Sequence, residues 1–338
     1  MKDSLVDVSV LMLFFNRPEP LKKVFEQVQR AKPARLFLYQ DGPRSEADMP
    51  GIMACRQVVS AIDWDCEVHQ CYQPTNYGCD PSGFMSQQWA FSMTDKCIVL
   101  EDDVVPSPTF FTFCKEMLDR YEHDERVGMI AGFNTDERTP DVSDDYFFTT
   151  NFSIWGWASW SRVIGKRSAD YAFLDDAEAV SRLQALTEER KLRRDFLPMC
   201  QAHRLSGKAY FETIFQSQLL LQSQMTIVPR VNMINNVGVT DDSTHFAGCI
   251  STLPHGYRRI FTMGRYDLEF PLKHPRYVVE HVEYRHRVYR TMGWRSPWIK
   301  VGRSLEELYL NVKHGNWAFI AQSVRNRIRK WMGKTAYR

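Results

Sequence analysis

The stretch VSVLMLFFNRPEPLKKVFEQVQRAKPARLFLYQDGP, residues 8–43, changes its pattern twice. Residues 8–15 form a continuous apolar run, as expected of a strand buried on both faces. Residues 18–31 set Leu21, Val24, Phe25 and Val28 at helical spacing and open on prolines, a helix-start signal. Residues 34–43 form a second apolar run that stops at Asp41-Gly42-Pro43, a turn signal. A strand, a helix and a strand in so short a span predict parallel pairing.

The pattern continues outward. Helices are expected over 51–62, 82–94 and 108–124, and strands over 66–72, 96–104 and 127–134. Ser107 is the expected N-cap of the fourth helix, with Pro108 in its first turn. Alternating strands and helices predict an α/β protein whose mostly parallel sheet is covered on both faces. After residue 140 the rhythm is lost. FFTTNFSIWGWASW (147–160) has no clean period, 172–205 is charged and helical, 211–224 reads as a helix, and 225–238 as a strand passing into a loop. We expect a catalytic domain over 1–270, with halves 1–135 and 136–270, and a basic aromatic extension over 271–338.

The 338 residues are 44% hydrophobic and 25% charged, which excludes wholesale disorder, collagen and coiled coil. The net charge of +2 conceals an asymmetry. Residues 286–338 hold twelve Lys/Arg and two Asp/Glu, a net of +10, while the remainder carries 31 basic and 39 acidic residues. A basic tail on an acidic body suggests an anionic partner for the tail, a membrane or a nucleic acid. The acidic body speaks against nucleic acid, whose sequence-independent binding depends on distributed Lys/Arg contacts. Trp317, Ile320, Val324, Ile328 and Trp331 recur at helical spacing in the tail, so an anionic bilayer is the expected partner. The alternative is a helix packed on the acidic body. Eight cysteines occur without a CxxC pair, and are expected to be buried or free thiols in a reducing compartment. The apolar run at 8–15 lacks a basic flank and a cleavage site, and is too short to span a bilayer. The expected location is cytoplasmic, with possible peripheral attachment to the cytoplasmic face of the inner membrane.

In an open α/β sheet, ligands bind at the carboxyl ends of the strands. There the chain offers Asn16-Arg17-Pro18, Gln40-Asp41-Gly42, Thr75-Asn76-Tyr77-Gly78 and Glu101-Asp102-Asp103. Three acids closing the apolar strand KCIVL repel one another unless a cation neutralises them, and hard divalent cations take carboxylate oxygens. Mg²⁺ or Mn²⁺ is therefore the expected cofactor. The other reading of the triplet is a solvated turn. Neither a Walker loop nor a GxGxxG fingerprint is present.

IVLEDDVVPSPTFF (98–111), preceded by NYGCDPSGFMSQQWAF (76–91), resembles bacterial nucleotide-diphospho-sugar transferases of the GT-A fold. It is more distantly similar to the Golgi N-acetylglucosaminyltransferase that acts first in complex N-glycan synthesis. FFNRPEPLKKVFEQV, LYQDGPR, WGWASWSRV and the run over 211–246 fit the same resemblance, which covers about residues 8–250. It implies that Asp103 binds the metal, that Asp102 meets the donor ribose or sugar, and that Asp41 accepts from the nucleobase. It also implies that Asn16 and Arg17 line the nucleotide pocket and that Asn76 and Gly78 lie near the donor. Glu212 stands where relatives carry the catalytic Asp, and would take the acceptor hydroxyl proton; otherwise it is a solvated acid at a helix start. His245, in Asp241-Asp242-Ser243-Thr244-His245, would complete the metal sphere or touch the diphosphate. Trp155, Gly156 and Trp157 would receive the acceptor sugar, while for Trp160 packing beneath the site is the alternative.

The implied function is inverting sugar transfer from a nucleoside-diphosphate donor, a UDP-sugar such as UDP-GlcNAc. The acceptor would be a glycan or lipid-linked sugar in bacterial surface polysaccharide synthesis: lipopolysaccharide, O-antigen or capsule. A sugar-nucleotide pyrophosphorylase shares the sheet and the metal, but wants a Gly-rich, Arg- and Lys-containing loop where this chain has Asn16-Arg17-Pro18. A non-catalytic glycan- or nucleotide-binding module is the remaining alternative.

Overall fold

The computed structural model describes residues 6–186, 190–238, 250–294 and 296–331. In chain order the first half comprises β1 (Val6–Phe14), α1 (Pro18–Ala31), β2 (Pro33–Gln40), α2 (Met49–Val59), β3 (Glu67–Tyr72), α3 (Cys79–Phe91), β4 (Lys96–Glu101), β5 (Val104–Pro106), α4 (Phe110–Arg120) and β6 (Val127–Ala131). The second half adds β7 (Tyr146–Thr149), β8 (Trp157–Trp160), α5 (Ser161–Ile164), α6 (Ala177–Leu186), α7 (Arg190–Ser206), α8 (Phe211–Leu221), β9 (Met225–Pro229) and β10 (Ile234–Asn236). Four helices follow: α9 (His255–Thr262), α10 (Val282–Thr291), α11 (Pro297–Lys313) and α12 (Trp317–Trp331).

The chain is an α/β protein. One eight-stranded sheet runs in the order β3-β2-β1-β4-β8-β6-β9-β7 and is flanked by helices. The β1 pairings with β2 and β4 are parallel, as are β2 with β3 and β6 with β9. β8 and β7 run against their neighbours. The apolar run of β1 is buried from Val8 to Met12 because helices cover the sheet on both sides.

Three expectations are corrected. WASW, which shows no period, is β8, a fully buried antiparallel strand set between β4 and β6. The strand expected over 96–104 breaks at Asp102-Asp103, and Val104–Pro106 pairs instead with Ile234–Asn236. A central ladder buried on both faces has no place for two ionised carboxylates. The fourth helix begins at Phe110, with Thr109 rather than Ser107 at its cap. The Asp267 carboxylate accepts from both the Thr109 amide and its hydroxyl, at 3.0 and 2.8 Å.

The boundary expected at residue 270 falls inside a segment knitted to the sheet. The Lys273 amide donates to Asp145, and the His281 amide to the Phe148 carbonyl. Tyr284 and Val288 are buried with Ala131, Phe147 and Val228. The α11–α12 pair alone has the look of an extension. Among the described residues no helix is long and apolar enough to cross a membrane. The seven described cysteines are free of disulfides.

Candidate active site

The sheet order 3-2-1-4 reverses direction between β1 and β4, and a crevice opens at such a switch point, outside the strand ends. A cleft of about 790 Å³ lies there. Six of the expected donor residues line it: Asn16, Arg17, Asp41, Asn76, Gly78 and Asp102.

Arg17 follows β1, and Asp102 and Asp103 follow β4. The Arg17 guanidinium forms an ion pair with Asp102 and donates to Asp103 Oδ2 at 3.0 Å. These charges are held out of bulk water, and each shifts the others. Burial pushes the Asp102 carboxyl up to about 6, against the opposing pull of Arg17 and with the added push of Asp103. Glu101 is held well above the carboxylate range by burial, reinforced by Asp103, Glu212 and Asp102.

The acidic turn suits a cation. Among the described residues no three His, Cys, Asp or Glu side chains form a metal-binding group. Yet Asp103 Oδ1 is buried and makes no hydrogen bond. A buried carboxylate oxygen with idle lone pairs is a fitting ligand for a hard divalent ion. Asp103 is also tightly confined. Gly238 lies against it so closely that a Cβ there would overlap the carboxylate, and the Val237 amide donates to the Asp103 carbonyl at 2.8 Å. His245, with Asp241 to Thr244, lies outside the described residues.

Asp41, expected to accept from a nucleobase, is engaged by the backbone around it. Its Oδ1 accepts from the amides of Gly42 and Tyr77, and its Oδ2 from Gly78, each at 2.9 Å. The carboxylate clasps the loop after β3 to the end of β2. Most of its acceptor capacity is already used, leaving about one lone pair for a ligand. Asn76 strengthens the clasp by donating to the Gly42 carbonyl at 3.0 Å. Gly78 has φ +87° with open space at its Cβ position, so the backbone alone demands glycine there. Asn16 donates to Asp48 at 2.9 Å, and so ties the end of β1 to the turn before α2.

Glu212 is exposed in the first turn of α8. It stands near the acidic turn because α3 and α8 meet closely: a Cβ on Gly83 would strike the Phe211 ring, and Phe211 lines the cleft. Its charge reaches Glu101.

The expected acceptor residues lie elsewhere. Trp157 is 1% exposed in β8 and packs at 5.0 Å from Phe215, so it offers no face to a sugar. Gly156 is buried at φ +62°, against Ile234 and Val104, and serves a backbone turn. Trp155 is half-buried between Phe133 and Phe261. None of the three lines the cleft.

Sequence reasoning missed two contributors. Arg44 donates to Asp48 at 2.7 Å, lies over the Phe15 ring at 5.1 Å, and leaves its largely exposed side chain on the cleft wall. Its signal was the basic residue closing LYQDGPR. Tyr39 lines the cleft, and burial pushes its phenol up to about 12, so it stays protonated at neutral pH. Its place in an apolar strand concealed it.

No protein-family model matches the chain, and no curated protein matches it. Several solved structures are similar in outline. The inositol-1-phosphate CTP transferase from T. maritima shares 10% identity over 78% of this chain and 97% of that one, with a TM-score of 0.36. Mouse xyloside xylosyltransferase 1, in its apo form, shares 11% identity over 64% and 81%, also at 0.36. The 4-diphosphocytidyl-2C-methyl-D-erythritol synthase from Anaerococcus prevotii DSM 20548 shares 9% over 56% and 84%, at 0.30. Likeness of this degree assigns no residue a role.

Proposed function

We propose that this chain is a metal-dependent glycosyltransferase that moves a sugar, with inversion, from a nucleoside-diphosphate donor. The observation that carries the reading is the acidic turn at the β1/β4 switch point, with Asp103 Oδ1 buried and idle beside the Arg17–Asp102 pair. A bound divalent ion supplies charge neutralisation for the departing diphosphate. Asp103 holds that ion. Arg17 fixes both aspartates and keeps Asp102 aimed along the cleft wall, where it meets the donor ribose or sugar. Asp41 shapes the loop that carries Gly78, so that the donor rests against backbone rather than side chains. Arg44 offers a positive charge at the nucleotide end. Glu212, exposed and ionisable, takes the proton from the attacking acceptor hydroxyl.

A UDP-sugar donor, and an acceptor in bacterial surface polysaccharide, are what the resemblance over residues 8–250 implies. The buried β8 tryptophans turn the search for the acceptor site toward the Glu212 side of the cleft.

Nucleotidyl transfer would use the same sheet edge and metal. The two reactions differ in the bond broken, so one experiment separates them. The protein is incubated with Mn²⁺ and a panel of UDP-, GDP-, CMP- and dTDP-sugars, and in parallel with nucleoside triphosphates and sugar phosphates. Glycosyl transfer predicts slow, metal-dependent release of a nucleotide and free sugar from one donor. Pyrophosphate formation from a triphosphate would overturn the assignment in favour of nucleotidyl transfer. Nucleotide binding without turnover would leave a binding module.

A further inference from the structure

The two C-terminal helices take no part in the cleft. α11 is rooted on the body: Arg303 lies over the Tyr257 ring at 4.5 Å, and Glu306 accepts from the His255 amide at 2.9 Å. Along the same helix Trp298, Val301, Leu305, Leu308 and Val312 recur at intervals of three and four, and so share one face. That face is exposed, by 44% at Val312 and 78% at Trp298. Trp317, Val324 and Ile328 are similarly exposed on α12. Val301, Leu305 and Leu308 meet Phe319, Ile320 and Val324 across a groove of about 380 Å³ between the two helices.

Of the twenty exposed large hydrophobic side chains among the described residues, ten lie between 298 and 328, and the others are spread from Met53 to Val282. An apolar surface so concentrated calls for a partner. Its chemistry follows from the charge of the same two helices: residues 297–331 hold seven Lys/Arg and two Asp/Glu, a net of +5.

We propose that the α11–α12 hairpin docks this protein on an anionic phospholipid bilayer. A second copy is a poor occupant. Tail against tail opposes two strongly positive segments, and tail against body finds acidic charge without an apolar patch of matching extent. A nucleic acid would meet the charge and leave the apolar face in water. A bilayer with anionic headgroups satisfies both demands. The 17 residues of α11 span about 25 Å. The helix lies in the interface plane, with Trp298, Tyr309 and Trp317 suited to the headgroup level. Such docking is independent of the chemistry in the cleft.

The test floats the full-length protein with vesicles of phosphatidylcholine plus phosphatidylglycerol, and with phosphatidylcholine alone. Binding is expected to the first, at least about tenfold weaker binding to the second, and loss at high salt. The triple variant Trp298→Ser, Leu305→Ser and Trp317→Ser should bind anionic vesicles at least about tenfold less, with an unchanged melting temperature. Should that variant fold poorly, Arg325→Gln with Lys330→Gln leaves the apolar face intact and should also weaken binding about tenfold. Absence of flotation, equal binding by wild type and these variants, a dimer that dissociates in the serine variant, or RNA binding in place of vesicle binding would each overturn the proposal.

Discussion

The Arg17 guanidinium and the Asp102 carboxylate form an ion pair across the gap between β1 and β4, where the sheet order changes direction. Two residues 85 apart in sequence thus close the floor of the cleft around buried charge. The pair neutralises Asp102 and leaves Asp103 Oδ1 unused. That imbalance is the ground on which a divalent cation is proposed there.

Removing the guanidinium should leave two carboxylates without their cation. Arg17→Met is expected to destabilise the metal-free protein by about 2–3 kcal/mol at neutral pH, somewhat less than for a fully buried pair because Arg17 retains some exposure. Because Arg17 lowers the Asp102 pKa, its loss raises that pKa further. The deficit should therefore be greatest above about pH 6 and shrink as acid protonates the aspartates. Urea unfolding at several pH values checks this, and added Mn²⁺ should recover part of the loss.

Glu101 supplies the converse case. Its folded pKa is raised, so its contribution to stability is full below the ordinary value of 4.5 and declines as pH rises toward the elevated value. Asp102 acts in the same direction between 3.8 and about 6. Glu101→Gln should then raise the melting temperature of the metal-free protein at pH 7 and leave it unchanged near pH 4. Since both carboxyls favour protonation in the folded state, Mn²⁺ binding near pH 6 should release protons, measurable by calorimetry in buffers of different ionisation enthalpy.

Much of the amino-terminal half was legible in sequence because β1, β2 and β4 are buried on both faces, and their uninterrupted apolar runs are punctuated by Pro, Gly and Asp. The strand-end rule then brought Arg17, Asp41, Gly78 and Asp102 to one edge. β8 was not legible. Its four buried residues are two tryptophans bracketing two small side chains, with no period, and its place between β4 and β6 is set by long-range packing alone. Trp157 looked like a sugar platform for the reason that makes it a good core residue: it is large and flat. The role of Asp41 was hidden because its partners are backbone amides, which carry no sequence signal.

The buried position of Trp157 is itself testable. Trp157→Ala should cost about 3–5 kcal/mol through the cavity it leaves. A less disruptive Trp157→Phe should leave the acceptor KM unchanged, whereas a sugar-stacking tryptophan would raise it.

Glu212→Gln should lower turnover by about 10²–10⁴-fold and leave donor affinity unaltered, because the amide keeps the shape and loses the base. Steady-state kinetics with isothermal titration of the donor separate the two effects. An equal loss of donor affinity would place Glu212 in binding instead.

Gly238→Ala should reproduce the effect of removing Asp103, since its methyl group must displace that carboxylate. Donor turnover should fall and its Mn²⁺ requirement weaken, while the melting temperature changes by no more than a few degrees, consistent with about 1 kcal/mol.

The most direct test of the site is titration of UDP into wild-type protein and Asp103→Ala, each with Mn²⁺ and with EDTA. Wild type should bind UDP at least about tenfold tighter with Mn²⁺ than with EDTA, and Asp103→Ala should bind with the weaker affinity in both. Binding of equal strength in all four conditions would contradict a metal-dependent nucleotide site at the Asp102-Asp103 turn.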